Sequence, residues 1–418
     1  MVELAENEIR NFVEVWLSIC VSLTYCYIVG KITSKGFTRL LAILPIISLF
    51  FALPLKLTSI HLCGLTAFFI SWLANFKLLL FAFGKPPLSF DPPLSFPYFL
   101  SVACLPIKIQ IDPTRENTAK SRNKQDPDRK TTNKPSPSPE NQQNIPKESP
   151  LISRPFKIQN DPTQKNLPEL LNKRNPDHKN TNKSNPSPQN QQDIPKKSPW
   201  NFIIKGTLLA IIVKVYDYNN QIPEKLLWLL YGLHIYFALE IILACVAKSA
   251  NFFLGIELEP QFNEPLLSTS LQDFWGRRWN LMVTIILRPT IYFPTLNLCT
   301  KFVGKETAKL VAVMATFVVS AFYHELIFYY LGRVTPTFQV TWFFLLHGFC
   351  LCVELAVKKY FGRKMRVPWW FSVVATVGFV VVTGLWLFMP PLLRAGLASK
   401  GLHEYAVVGA FVRRLIRV

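Results

Sequence analysis

The sequence carries little charge for its length. Asp, Glu, Lys and Arg make up only 17% of its 418 residues, whereas half of the residues are hydrophobic. A soluble chain has about 25% charged residues and lacks repeated apolar runs of about 20 residues. The composition therefore excludes an ordinary soluble protein. Nine apolar stretches predict helices that span or enter a bilayer: 11–30, 38–57, 60–83, 201–216, 226–247, 281–300, 307–331, 336–357 and 368–391.

The sequence also lacks the features of a signal peptide, of a cysteine metal site and of a nucleic-acid-binding protein. The start of the chain is acidic at Glu3, Glu6 and Glu8, the reverse of the basic leader of a cleavable signal peptide. The eight cysteines are scattered, mostly in apolar runs, which indicates buried thiols rather than a four-ligand metal site. The net charge of +20 has no nucleic-acid-reading motif beside it, so we expect no nucleic-acid partner.

The polar residues are concentrated in one segment, which predicts three regions. Residues 1–105 form N-terminal membrane segments, 106–200 form a long loop, and 201–418 form a membrane-embedded core that ends in a short amphipathic helix at 402–418. The loop is rich in Pro, Asn and Lys, and Pro106–Thr114 is repeated with few changes at Pro155–Thr163. Such a composition cannot bury enough apolar surface to offset the entropy of ordering. We predict a duplicated, disordered loop.

The distribution of basic residues predicts the orientation. A cytosolic loop at 106–200 places the N-terminus in the lumen and the polar stretch 273–280 in the cytosol. The basic segment Lys358–Arg366 should also be cytosolic, yet three apolar stretches separate the two. One stretch must therefore not cross. Because Pro289 and Pro294 interrupt 281–300, we predict that this stretch is re-entrant or interfacial and lies beside a cavity.

A histidine lies inside one of the apolar runs. The charged form of His324 would be unfavourable in a bilayer by a few kcal/mol, so we expect it to face a protein interior or a water-filled cavity. An imidazole can remove a proton from a hydroxyl near neutral pH. It can equally be a neutral group that hydrogen-bonds a neighbouring helix. The residues alone leave both interpretations open.

A polar and aromatic cluster precedes this histidine in the sequence. Arg277 and Arg278 have the forked donors that hold phosphates, but with Trp275 and Trp279 they could equally anchor the chain at the headgroup level. Asn280 could donate to a carbonyl oxygen or oxyanion, or it could cap the following helix. His347 is a second candidate base. The other polar groups in the spans are expected to hydrogen-bond between helices: His234, Glu240 and Glu354.

Together, the cluster and the histidine resemble a known family. Ser268–Asn280, which contains Trp-Gly-Arg-Arg-Trp-Asn, and Val319–Tyr330, which contains His-Glu, are similar to the plant wax synthases. These are long-chain-alcohol O-fatty-acyltransferases of the membrane-bound O-acyltransferase superfamily. The resemblance covers the chain outside about 111–197. It implies an all-α, multi-pass helical bundle of about eight or nine spans in the endoplasmic reticulum membrane. It also implies fatty acyl-CoA as co-substrate, a long-chain alcohol as acceptor, and no cofactor or metal.

The resemblance also implies the site. His324 matches the catalytic histidine of the superfamily and Asn280 its upstream partner. We expect substrate contacts or cavity positions at nine further residues: Asp273, Trp275, Arg277, Arg278, Trp279, Phe322, Tyr323, Glu325 and His347. Where the family usually has Gly-Leu-Met before the histidine, this chain has Ala321-Phe-Tyr323, whose bulk should narrow the cavity. A sterol acceptor and a non-enzymatic transporter or scaffold are the alternatives.

Overall fold

The computed structural model describes residues 2–90, 93–105, 199–254, 261–361 and 367–416. Regular structure in these ranges is helical, and no strand occurs among the described residues. Eight helical segments are long and apolar enough to cross a membrane. The prediction of a multi-pass helical membrane protein is confirmed. The predicted loop lies outside the described residues from 106 to 198, so its disorder and the three-region division stay predictions.

The described residues of 2–105, 199–247 and 261–416 form one compact unit, which we call the first unit, and residues 248–254 fall outside it. Before the loop, the first unit contains five α-helices: α1 (Val2–Ile32), α2 (Phe37–Ala52), α3 (Ile60–Thr66), α4 (Asn75–Ala82) and α5 (Phe96–Cys104). A π-helical segment, Ala67–Ala74, joins α3 to α4 as one span. Ser59 defines the start of α3, because its hydroxyl accepts a hydrogen bond from the N–H of Leu62.

After the loop, the described residues contain ten α-helices: α6 (Pro199–Val215), α7 (Glu224–Leu254), α8 (Leu271–Asp273), α9 (Leu281–Leu287), α10 (Phe293–Val303), α11 (Lys305–Gly332), α12 (Gln339–Phe361), α13 (Trp369–Thr383), α14 (Met389–Arg394) and α15 (Leu397–Ile416). Three more π-helical segments join consecutive helices: Phe274–Arg278, Arg288–Tyr292 and Gly384–Phe388. Short 3₁₀ turns occupy Leu53–Lys56, Tyr216–Gln221 and Pro265–Leu267.

Helix α5 is an element that the hydropathy pattern did not predict. It is only nine residues long, below the length that a membrane span requires. Lys77 of α4 is fully buried, and its ammonium donates to the carbonyl oxygen of Val102 at 2.6 Å and to that of Leu105. A buried ammonium is tolerated because these carbonyl oxygens at the C-terminal end of α5 accept hydrogen bonds from it.

Helices α11 and α12 pack closely as neighbours. A methyl group added at Gly348 would lie 2.9 Å from the side chain of Phe317, so glycine permits this approach. At the start of α12, the Glu325 carboxylate accepts hydrogen bonds from the backbone N–H and the hydroxyl of Thr341, at 3.0 and 3.1 Å. This carboxylate satisfies N–H groups that a helix start leaves unpaired. Glu325 is therefore occupied in positioning α12.

The segment from α8 to α10 enters and leaves the bundle at one end of α12. Lys358 donates to the hydroxyl of Ser270 at 3.2 Å, and the adjacent Lys359 forms a 3.2 Å ion pair with Glu306. Both ends of the segment therefore lie beside the C-terminal end of α12. Leu281–Val303 is long and apolar enough to cross a membrane. The contacts bring both ends of the segment to one end of α12, as the charge argument requires, and the re-entry of 281–300 into the membrane stays a prediction.

Charged side chains also join the opposite end of the bundle. Arg333, directly after α11, donates to the carbonyl oxygens of Pro54, Leu55 and Leu57. Glu8 of α1 accepts hydrogen bonds from the N–H and hydroxyl of Thr58, at 2.8 and 2.7 Å. The start of α3 and the end of α11 therefore share this end of the bundle.

Candidate active site

A cavity of about 490 Å³ lies among the helices of the first unit. This volume is within the range of about 300–1,000 Å³ that is typical of small-molecule sites. Its wall is mostly apolar, and three of the four π-helical segments contribute aromatic side chains to it: Phe68 and Trp72, Phe274 and Trp275, and Phe388. The polar side chains on the wall include His61, Tyr216, His234, Asn280, His324 and Tyr405.

His324 is held in a single tautomer on this wall. Its Nδ1 lies 2.8 Å from the backbone oxygen of Ser320, one turn earlier on α11. Because a carbonyl oxygen only accepts, Nδ1 carries the proton and Nε2 has a free lone pair. No hydrogen bond reaches Nε2 from any residue that the structure describes. The rings of Trp72 and Phe344, with centroids 5.5 and 4.3 Å from that of the imidazole, fix its orientation. The geometry is that of an oriented base facing an apolar cavity.

Asn280 contributes an unused amide to the same wall. Its backbone has φ 43° and ψ 64°, the left-handed region that asparagine tolerates better than most residues. Its side chain makes no capping hydrogen bond to α9, which argues against the alternative that it is a helix cap. Its Oδ1 is buried and has no partner among the described residues. Its Nδ2 likewise makes no hydrogen bond to a described residue, and as the donor of the amide it is the atom that can serve a ligand oxygen in the cavity.

Asn280 directly precedes one arm of a helical hairpin, and His324 lies on the other arm. Gly304 connects α10 to α11 with φ 76°, a conformation that glycine adopts without strain. The two helices run antiparallel from this turn. Both residues of the expected catalytic pair line the same cavity.

The two arginines of the expected phosphate site lie in different environments. Arg278 forms a 2.7 Å ion pair with Asp273 and also donates to the carbonyl oxygens of Asn263 and Glu264. Its donors thus fix the loop before the segment from α8 to α10, and Asp273 is equally occupied. Neither residue lines the cavity. Arg277, in contrast, is exposed.

Trp275 and Trp279 both lie on the cavity wall. Trp279 stacks on Phe274, with ring centroids 5.5 Å apart and an interplanar angle of 14°. Trp275 packs edge-on against Phe317, and its indole N–H donates a hydrogen bond to Nδ1 of His347 at 3.2 Å. The two tryptophans therefore build the interior wall rather than a headgroup anchor.

His347 is fully buried and has both ring nitrogens occupied. Nδ1 accepts from Trp275, and Nε2 lies 2.8 Å from the hydroxyl of Thr383. That hydroxyl donates its own proton to the carbonyl of Phe379, so Nε2 of His347 is the donor to Thr383. His347 is absent from the cavity wall. It bonds between helices instead of serving as a base.

The residues that flank His324 do not narrow the cavity as expected. Phe322 is 59% exposed on the outer face of α11, away from the cavity wall. Tyr323 is buried behind the wall, where it stacks on Trp72 with ring centroids 5.2 Å apart. Glu325 caps α12, as described above. Helical geometry explains the difference, because neighbours of a wall residue point about 100° away from it.

A second polar group on the wall was not expected from the sequence. Nε2 of His61 and Nε2 of His234 lie 3.2 and 3.0 Å from the hydroxyl of Tyr405. Nδ1 of His61 lies 2.6 Å from the carboxylate of Glu404. Burial raises the pKa of the Glu404 carboxyl, but hydrogen bonds from His61, Ile60 and Ser59 outweigh this effect and hold the pKa below its ordinary value. His61 and Tyr405 are 344 positions apart, too far for any sequence pattern to connect them.

Comparison with known proteins identifies relatives of the whole chain. Residues 258–346, which include both Asn280 and His324, match the membrane bound O-acyl transferase family. An acyl-CoA–sterol O-acyltransferase of Arabidopsis thaliana is 42% identical over 96% of both chains. A long-chain-alcohol O-fatty-acyltransferase of Simmondsia chinensis is 37% identical over 98% of this chain and 97% of its own. A probable long-chain-alcohol O-fatty-acyltransferase of Arabidopsis thaliana is 36% identical over similar shares.

Proposed function

Given that the chain belongs to the family of membrane-bound O-acyltransferases and is an acyltransferase, we propose that it transfers a fatty acyl group from acyl-CoA to a long-chain alcohol. The product is a wax-type ester, and CoA is released. Because the chain belongs to an acyltransferase family, the alternative of a non-enzymatic transporter or scaffold is not pursued. One observation carries the proposal: a free imidazole nitrogen and an asparagine side chain without a hydrogen-bond partner among the described residues share the wall of one apolar cavity.

In the proposed reaction, Nε2 of His324 takes the proton of the alcohol hydroxyl. The alcohol oxygen attacks the thioester carbon, forming a tetrahedral intermediate whose carbonyl oxygen bears the negative charge. The side-chain N–H of Asn280 donates a hydrogen bond to this oxyanion, an interaction whose removal typically lowers kcat by about 10²–10³-fold. The C–S bond then breaks, and His324 returns the proton to the thiolate sulfur. This sequence uses acyl-CoA as co-substrate and needs neither a cofactor nor a covalent acyl-enzyme.

The charge distribution supports a cytosolic approach of the donor. We place the CoA head group at the end of the bundle that holds Lys358 and Lys359, where the segment from α8 to α10 begins and ends. Arg277 is exposed on the segment that leads to Asn280, so its guanidinium is available to the anionic phosphates. The acyl chain and the acceptor occupy the apolar cavity. The membrane we propose is that of the endoplasmic reticulum.

A sterol acceptor is the second candidate. It is favoured by the 42% identity to an acyl-CoA–sterol O-acyltransferase over 96% of both chains. Both kinds of acceptor present one hydroxyl on an apolar body, and the same base would serve either. The chemistry at His324 and Asn280 is therefore unchanged, and the acceptor is decided by a direct comparison of the two alcohols.

The test is expression in a host that makes neither wax esters nor steryl esters. Microsomes would receive labelled acyl-CoA with either a saturated long-chain alcohol or a plant sterol, and kcat/KM would be compared for the two. We expect the unaltered protein to esterify the alcohol and His324→Ala to lower the rate by about 10²–10⁴-fold, the usual contribution of a general base.

The matched control is His403→Ala. His403 is exposed on α15 and does not line the cavity, so this variant should retain the rate of the unaltered protein. Full ester synthesis by His324→Ala would contradict the mechanism. A higher kcat/KM for the sterol would identify the sterol, and not the long-chain alcohol, as the acceptor.

A further inference from the structure

Helix α15 contributes one face to the wall of the cavity. Its lining residues are spaced by three and four positions, as one face of an α-helix requires: Leu397, Ala398, Gly401, Leu402 and Tyr405. Gly401 lies at the centre of this face, with lining residues one turn before it and one turn after it. The helix follows the segment 258–346 that matches the family, and the proposed reaction uses none of its side chains.

Hydrogen bonds fix α15 beside the start of α3. The carboxylate of Glu404 accepts hydrogen bonds from the backbone N–H of Ile60 at 2.6 Å and from the hydroxyl of Ser59 at 2.9 Å. It also lies 2.6 Å from Nδ1 of His61, whose Nε2 is 3.2 Å from the hydroxyl of Tyr405. These contacts on a single turn leave α15 little freedom to rotate or slide. The helix therefore forms a fixed wall at this end of the cavity.

The wall that α15 forms is well separated from the catalytic histidine. Trp72 packs edge-on against His324 and follows His61 by eleven residues on one continuous span. Eleven residues make about three helical turns, on the order of 15 Å. His61 and Trp72 both line the cavity, and Gly401 is one turn from Tyr405, which contacts His61. The cavity therefore extends on the order of 15 Å from His324 to α15.

The space beside Gly401 is open. No described atom from another part of the chain lies within 4 Å of the position that a Cβ would occupy there, and the flanking lining residues direct that position toward the cavity. Gly409, about two turns later on α15, also has open space at its Cβ position but does not line the cavity. Glycine is a poor helix former, and no left-handed φ requires it at either position. At residue 401, glycine therefore leaves a volume in the cavity that any other side chain would fill.

A linear chain that reacts at His324 can reach this volume. An extended alkyl chain advances about 1.25 Å per carbon, so about twelve carbons span the distance to α15. Longer chains place their last methylenes beside Gly401. Burying one methylene in an apolar cavity raises kcat/KM roughly fourfold. The volume beside Gly401 therefore favours long chains and does not affect short ones.

We propose that α15 forms the end wall of the acyl-chain site and that Gly401 sets the longest acyl chain that is transferred efficiently. The proposal rests on the proposed function, which places the thioester carbonyl at His324. The CoA head group is placed at the end of the bundle that holds Lys358 and Lys359, whereas the start of α3 lies at the opposite end. The acyl chain extends from the thioester away from CoA, and it therefore points toward α15. The preferred donors are acyl-CoAs with chains longer than about twelve carbons.

The experiment measures kcat/KM in microsomes for stearoyl-CoA and for decanoyl-CoA, with one long-chain alcohol as acceptor. Gly401→Leu fills the space beside α15. It should lower the ratio of stearoyl to decanoyl transfer at least about tenfold, because two displaced methylenes cost roughly fourfold each. The rate with decanoyl-CoA should stay near that of the unaltered protein. Gly401→Ala adds one carbon and should lower the ratio by a smaller factor.

The matched control is Gly409→Leu. It makes the same change on the same helix at a position that does not line the cavity, so the ratio should stay unchanged. A variant that merely folds poorly loses both rates together, and the ratio does not move. A second arm uses decanoyl-CoA as donor and compares octadecanol with decanol as acceptor. Gly401→Leu should leave this alcohol ratio unchanged.

The outcomes separate the two proposals. If Gly401→Leu leaves the acyl ratio unchanged, if Gly409→Leu lowers it equally, or if the alcohol ratio falls instead, the assignment of α15 to the acyl chain is wrong and the proposed function stands. If the unaltered protein transfers neither acyl group to an alcohol, the proposed function is wrong and this inference is overturned with it.

Discussion

Replacing Asn280 with glycine separates two physical reasons for an asparagine at this position. Its φ of 43° lies in the left-handed region, where an ordinary L-residue is disfavoured by about 1–2 kcal/mol. Asparagine reduces this penalty and glycine removes it. Its side chain also lies on the cavity wall and makes no hydrogen bond to a described residue. Asn280→Gly keeps the backbone conformation accessible and removes the amide, whereas Asn280→Ala removes the amide and restores the penalty.

The two variants should agree in activity and differ in stability. We expect kcat to fall by about 10²–10³-fold in both, because each loses one oxyanion donor. We expect Asn280→Gly to melt close to the unaltered protein and Asn280→Ala to be less stable by about 1 kcal/mol. Ester synthesis in microsomes gives the first quantity, and thermal unfolding of the purified protein in detergent gives the second.

A control variant and a refuting outcome can be stated for this prediction. Asn297→Ala, at an exposed position of α10, should change neither quantity. If Asn280→Gly retains most of its activity, the asparagine is present for its backbone conformation alone. The oxyanion role would then be refuted, even if Asn280→Ala were inactive.

The remaining predictions concern residues that the structure removes from the chemistry. His347→Ala should lower the melting temperature, because it leaves the Trp275 N–H buried without its partner at a cost of about 1–3 kcal/mol, whereas a melting temperature equal to that of the unaltered protein would contradict its structural role. Arg278→Ala should also lower the melting temperature, since it frees the Asp273 carboxylate and two loop carbonyls, with little effect on the KM for acyl-CoA. Arg277→Ala should instead leave the melting temperature nearly unchanged and raise the KM for acyl-CoA severalfold, because it loses one charge-assisted contact to phosphate. Equal effects of the two arginine variants on KM would refute the assignment.

Much of the fold could be predicted from hydropathy and charge. The length of the apolar stretches is sufficient to predict the membrane spans. Three such stretches separate the polar cluster from the basic end of α12, and both were expected in the cytosol, so one stretch was predicted not to cross. The contacts of Lys358 and Lys359 agree with that argument. The short helix α5 was missed because its nine residues are too few for the length criterion of a membrane span.

The candidate site was predictable only in part. His324 and Asn280 stood out because a polar group in an apolar run requires an explanation, and the family resemblance linked them. The direction in which a neighbour points was not predictable from chain proximity, so Phe322 was expected at the cavity and lies on the outer face. The polar group around His61 was missed for another reason. His61, Tyr216, His234 and Tyr405 lie on four separate elements, and each is unremarkable alone.

The number of residues in each π-helical segment determines which side chains of the joined helices face the cavity. A π turn closes over one residue more than an α turn, and one residue corresponds to about 100° of helix rotation. In Gly384–Phe388, this offset lets Thr383 face His347 while Phe388 packs against His324, with ring centroids 6.1 Å apart. Deleting one residue there would restore a regular helix and turn one of these side chains away. A single-residue insertion or deletion can therefore reshape the lipid pocket without replacing any side chain that lines it.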